Sequence, residues 1–101
     1  MRVDKWLWSV RLYKTRSQAS HDCSTGKVKR SGKALKPSTT LKIGDTLEVP
    51  SSDNAYKRNI EVIQLIDKRV GAPLARKAYL DHTPAAILSE VDTRRLANMV
   101  N

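Results

Sequence analysis

Three kinds of side chain in this 101-residue sequence could do chemistry: a single cysteine, two histidines, and clustered arginines and lysines. Cys23 stands two residues from His21, so on a helix the two point apart and share neither a substrate nor a metal ion. His82 adjoins Asp81, but no third group completes a nucleophile–base–carboxylate set, and a surface-loop histidine is expected. The four glycines (26, 32, 44 and 71) are scattered through turns, whereas a phosphate-cradling loop needs them close together. Cys23 falls at an apolar helix position and reads as a small core residue. One cysteine makes neither an internal disulfide nor a zinc cluster. No catalytic residue, cofactor or metal ligand is expected.

The basic residues carry more. The chain holds 19 Lys and Arg against 10 Asp and Glu, a net charge of +9. Residues 1–49 contain eleven basic and four acidic side chains, net +7; residues 50–101 contain eight and six, net +2. Such a field favours a polyanionic partner, nucleic acid ahead of an anionic membrane. Arg2, Lys5, Arg11, Lys14 and Arg16 surround the first predicted helix and the turn after it, and Lys27, Lys29, Arg30, Lys33 and Lys36 crowd a predicted hairpin. A helix N-terminus beside an arginine is a natural phosphate site, and a second row of lysines would make a clamp on a nucleic-acid backbone. Lys42 and Lys27 are expected only to solvate strand edges. Trp8 points off the apolar stripe and is expected to be covered by the C-terminal helices; the alternative is stacking on an unpaired base.

These side chains need elements to hold them. Val3, Leu7 and Val10, with Trp6 beside them, predict a helix over 3–13. Thr15 to Gln18 has the form of a capping box. It opens a second helix over 16–25 that buries Ala19 and Cys23, with Gly26 as its left-handed stop. Ser31-Gly32 suits a two-residue hairpin turn between 27–30 and 33–35, and Gly44-Asp45 another turn before a strand at 46–49. Residues 50–56 read as a polar loop. Residues 58–66 predict a strand apolar on both faces and so covered on both. Pro73 opens a helix carrying Leu74, Ala75, Ala78 and Tyr79. Thr83-Pro84 starts another, with Ile87, Leu88 and Val91 on its buried face and a continuation towards Leu96, Met99 and Val100.

This length suits one domain with one core. No apolar stretch approaches the roughly 20 residues of a membrane span, and the N-terminal apolar run stops at Arg11 without a signal peptide's apolar core. A small cytoplasmic protein with no room for a second catalytic lobe is the expectation, and a monomer.

The run Arg2-Val-Asp-Lys-Trp-Leu-Trp8, then Tyr13-Lys-Thr-Arg-Ser-Gln-Ala19, Gly26-Lys-Val28, Ser31-Gly32-Lys33, Lys36-Pro37-Ser38 and Gly44-Asp-Thr-Leu-Glu-Val49 resembles the S-four RNA-binding domain, or alpha-L motif. The opening, with Tyr13 to Ser17, is most similar to the ribosome-associated heat-shock protein family, as is Lys68-Arg69 followed by a helix with Leu74 and Tyr79. The resemblance implies an α+β fold: two short N-terminal helices on a small, mainly antiparallel sheet, with C-terminal helices. It also implies binding of structured RNA through the second helix and the hairpin. Carried over by position, Arg2, Lys5, Lys14, Thr15, Arg16, Ser17 and Gln18 are the helix-side candidates. Lys29, Ser31, Gly32, Lys33 and Lys36 are those of the hairpin. The heat-shock relatives are associated with free large ribosomal subunits carrying a blocked nascent chain, which makes ribosomal RNA the expected partner. Arg30 departs from the pattern's apolar strand residue, Ser31 from its turn asparagine, and Asp22 and Cys23 from a larger apolar pair.

Residues 1–50 are therefore expected to form the RNA-binding domain, and 51–101 an added strand and helical extension packed on it. Two other functions fit the charge. A DNA-binding helix-turn-helix would present long polar residues to the groove, but the second helix offers mainly Ser20, His21, Asp22 and Ser24. The other is the RNA-targeting appendage of an RNA-modifying enzyme, for whose catalytic domain residues 50–101 are too few.

Overall fold

Val3, Trp6 and Leu7 bury one stripe of the first helix, α1 (Val3–Ser9), and are fully inaccessible to solvent. The computed structural model describes residues 1–84 and residue 87. In it α1 is shorter than the expected 3–13, because Arg11 takes a left-handed conformation at φ 61°. The backbone N–H groups of Leu12 and Tyr13 then both donate to Leu7 O, and the turn returns Leu12 to the core. The second helix, α2 (Arg16–Ser24), begins where the Thr15 hydroxyl accepts the Gln18 N–H at 3.1 Å. It buries Ala19 and Cys23, and Gly26 follows it at φ 79°.

Three short strands come next: β1 (Lys29–Arg30), β2 (Lys33–Ala34) and β3 (Thr46–Pro50). Ser31 and Gly32 join the first two with φ of 53° and 77°, the paired positive values of a type I′ turn. β4 (Lys57–Val62) pairs with β3 in antiparallel register, Leu47 opposite Ile60. A last helix, α3 (Ala72–Lys77), has Pro73 in its first turn, and β5 (Tyr79–Asp81) closes the order β2-β1-β3-β4-β5. Every pairing is antiparallel. The fold is α+β, with the helices on a five-stranded sheet.

Two strand expectations are corrected. β4 stops at Val62 instead of running to Ile66, because Ile63 and Gln64 both donate to Ala78 O, and Gln64 O accepts the Trp6 indole at 2.8 Å. Only one of its faces is buried: Ile60 and Val62 join Leu47 and Val49 in the core, whereas Asn59 and Glu61 are half-exposed and Leu65, beyond the strand, is exposed. The second correction is Tyr79, expected on a helix; α3 ends at Lys77, and Tyr79 pairs with Val62 in the unforeseen β5. Within α3, Ala75 and Ala78 just beyond it pack inward, while Leu74 is exposed. The helix expected from Thr83-Pro84 through Leu88, Val91, Leu96, Met99 and Val100 lies outside the described residues, Ile87 apart. Among the described residues no helix is long and apolar enough to cross a membrane.

Candidate nucleic-acid interface

A buried carboxylate organises the helix side. Asp4, 2% exposed in the first turn of α1, accepts Arg2 Nε and Nη2 at 3.1 and 3.0 Å, and its Oδ1 lies 3.7 Å from Arg16 Nη2. Both guanidinium groups keep about half of their surface in solvent. Asp4 thus fixes two arginines, one just before α1 and one at the start of α2, side by side while leaving donors on each for an anion. Sequence reasoning chose Arg2 and Arg16 and missed Asp4. The signal was an aspartate in the first turn of a helix, two residues after an arginine.

Backbone contacts join this pair to the hairpin. Val3 N–H donates to Thr39 O, Asp4 N–H to Pro37 O, and Arg2 bridges Thr40. The arm that starts at Lys36 therefore runs alongside the N-terminus of α1. At the other end of α2, the Cα of Gly26 stands close enough to the hairpin that a Cβ there would meet Ala34 Cβ at 3.8 Å. Lys33 and Lys36 are exposed, and so are Ser31 and Gly32 at the turn. Lys29 is half-buried on β1, opposite Glu48 in register. Arg30 is withdrawn from the surface pool: its Nη1 binds Asp45 Oδ2 at 2.9 Å and donates to Thr40 O. An arginine at that strand position is thus matched by a carboxylate on the following turn.

Other candidates are divided by α2. Thr15 uses its hydroxyl to cap the helix. Lys5 is half-buried next to Asp4. Lys14, Ser17 and Gln18 are exposed and line an adjoining cleft of about 560 Å³ between α2 and the loop after β3. Ser17 also reaches the Arg2–Asp4–Arg16 side, so it alone of these three belongs to both. In that cleft Tyr13 donates its hydroxyl to Asp22 Oδ2 at 2.6 Å. Burial first, and the Asp22 carboxylate second, hold the Tyr13 phenol well above its ordinary pKa.

Trp8 is half-covered, with the Arg69 guanidinium 5.5 Å from its ring centroid. Arg69 also donates to Lys14 O at 2.7 Å, and Arg11 to Val70 O. The cation over the Trp8 ring thus comes from the segment before α3. Among the described residues no His, Cys, Asp and Glu cluster could hold a metal ion.

The S4 domain family matches residues 1–47. A heat shock protein 15 homolog from Aeromonas salmonicida is 37% identical over 87 residues, which cover 86% of this chain and 64% of that protein. The trimeric solved structure of Vibrio cholerae heat shock protein 15 superposes with a TM-score of 0.80 at 32% identity, covering 100% of this chain and 98% of that one. An RQC P-site tRNA stabilizing factor from Helicobacter pylori strain J99 is 43% identical over 49 residues, covering 48% of this chain and 58% of that protein. The chain spans just under two thirds of the Aeromonas relative's length.

Proposed function

The chain belongs to the heat shock protein 15 family, and from that premise we propose that it is a non-catalytic RNA-binding protein of the cytoplasm that holds structured RNA, ribosomal RNA on the large subunit. The observation that carries this reading is the buried Asp4 carboxylate aligning Arg2 and Arg16 beside the lysine-bearing arm. Two fixed guanidinium groups suit adjacent phosphates of one backbone, and exposed Lys33 and Lys36 extend the track. The S4 domain match over residues 1–47 covers the same elements, and a relative named as a P-site tRNA stabilizing factor supports a ribosomal location.

In this reading Arg2, Lys5, Arg16 and Ser17, with Lys29, Ser31, Gly32, Lys33 and Lys36, face the RNA, and Thr15 sets the N-terminus of α2. Lys14 and Gln18 approach it from the adjoining cleft. Residues 1–50 form the binding module and 51–101 the extension that supports it.

The test is fluorescence anisotropy with purified large-subunit ribosomal RNA, comparing the native chain with Arg16→Glu and Lys33→Glu. Each reversal is expected to weaken binding at least tenfold. Unchanged affinity in both would remove the site. Sedimentation of a lysate at low and raised salt then asks whether the protein travels with large subunits. Light scattering on the purified chain decides between the monomer expected from sequence and the trimer of the Vibrio relative.

A further inference from the structure

One wall of α2 serves the basic face; the adjoining wall borders a cleft that the paired arginines leave unused. Tyr13, Lys14, Gln18 and Asp22 line one side of it, and Ser51 and Asn54 the other. Its volume of about 560 Å³ is that of a small-ligand site, roughly 300–1,000 Å³.

The chemistry of the lining selects a ligand. Asp22 is half-buried, and among the described residues the Tyr13 hydroxyl is the one side-chain donor recorded on its carboxylate. A carboxylate has about four lone-pair positions and no donor, so capacity remains, and whatever binds there must donate. The same negative charge repels a phosphate. Leu12, the Tyr13 ring and Pro50 supply apolar surface beside it. A flat ligand with a donating edge fits this combination. In RNA that description belongs to an unpaired base, and two adjacent donors, a ring N–H and an exocyclic amino group, belong to guanine. Unpaired bases in loops and bulges are also where proteins read RNA sequence.

The cleft and the basic face are continuous. Ser17 and His21 line both, so one turn of α2 separates the two.

The geometry points to a base-reading cleft, in which an unpaired guanine, extruded from RNA held on the basic face, seats between Tyr13 and Asn54 with its donating edge on Asp22. This rests on the RNA-binding reading above. It adds that the preferred RNA carries a bulged guanosine.

Three hairpin RNAs with one common stem test it by anisotropy at fixed salt: fully paired, with a single bulged guanosine, and with a single bulged uridine. The native chain is expected to prefer the bulged guanosine by roughly tenfold over both others, the scale of one good base-edge contact. Asp22→Asn keeps an amide oxygen to accept the Tyr13 hydroxyl but presents a donor to guanine, so the preference should collapse towards unity. That variant also removes a negative charge, and for this reason the ratio between RNAs, not the affinity, is read. Asn54→Gly suits the positive φ of 57° at that position and should lower the same ratio from the loop side. Equal, salt-sensitive binding of all three RNAs overturns the cleft and leaves the basic face standing. So does an Asp22→Asn protein that retains the native preference, or a bulged uridine bound as well as guanosine. Failure to bind any of the three overturns the cleft, and large-subunit ribosomal RNA titrated alongside shows whether the RNA-binding reading falls with it.

Discussion

Asp4 shows how one side chain converts two flexible cations into a site. An exposed arginine has many rotamers to lose when it meets a phosphate; Arg2 and Arg16 have lost part of that freedom already, against a carboxylate that is itself buried. Asp4→Asn therefore separates two explanations of binding. If net charge governs, the variant, more positive by one, binds RNA more tightly. If alignment governs, as the geometry implies, its affinity for ribosomal RNA falls several-fold, readable by anisotropy at constant salt. Cys23 gives a second prediction at this scale. Burial, and then the nearby Asp4 and Asp22 carboxylates, push its thiol up to about 12, whereas in the unfolded chain it ionises near the ordinary value of about 8.5. Protonation favours the fold, so this contribution is fully present below pH 8.5 and is lost as pH rises towards 12. Urea midpoints measured from pH 8 to 10 should fall for the native chain and fall less for Cys23→Ala. In the folded protein at pH 7 the thiol should also react with maleimide far more slowly than after unfolding.

The hairpin and the helices show what local sequence can and cannot specify. Ser31 holds φ 53° in a type I′ turn, a conformation asparagine adopts more readily. Ser31→Asn should therefore raise stability by about 0.5 kcal/mol, seen as a higher urea midpoint with unchanged slope. Thr15→Ala removes the cap of α2 and should cost about 1 kcal/mol by the same measurement. These features, with Gly26 and the Ala19–Cys23 pair, were legible because each depends on residues within a few positions of one another. The misreadings were non-local. Ile63, Leu65 and Ile66 prolong the apolar run of β4 and read as strand, yet Trp6 and Ala78 claim the backbone of Ile63 and Gln64 from elsewhere in the chain. β5 is three residues long and is defined by its pairing with β4, which no three-residue pattern announces. In the candidate site the same division holds. The arginines and lysines stand out by type, whereas Asp4, the Arg30–Asp45 pair and the cleft beside Tyr13 exist only once distant segments meet.

At the scale of the molecule the question is whether binding follows total charge or its placement. The first 49 residues carry net +7 of the chain's +9, but part of that charge is already engaged, Arg30 with Asp45 and the two arginines partly with Asp4. Lys29, Lys33 and Lys36 make no ion pair among the described residues. With Arg2, Lys5 and Arg16 they make six cations on the proposed track. Six displaced counterions imply a loss of roughly three orders of magnitude in affinity between 50 and 200 mM salt. A protein bound by its overall field would show a similar fall, so the slope alone does not locate the site. Two variants of equal net charge do. Lys33→Glu changes an exposed lysine on the hairpin, and Lys77→Glu an exposed lysine at the end of α3. If placement governs, Lys33→Glu lowers the slope of log affinity against log salt by about one and Lys77→Glu leaves it near the native value. If the two variants lose affinity and slope equally, RNA is held by the field of the whole chain and the track along α2 and the hairpin is not its binding site.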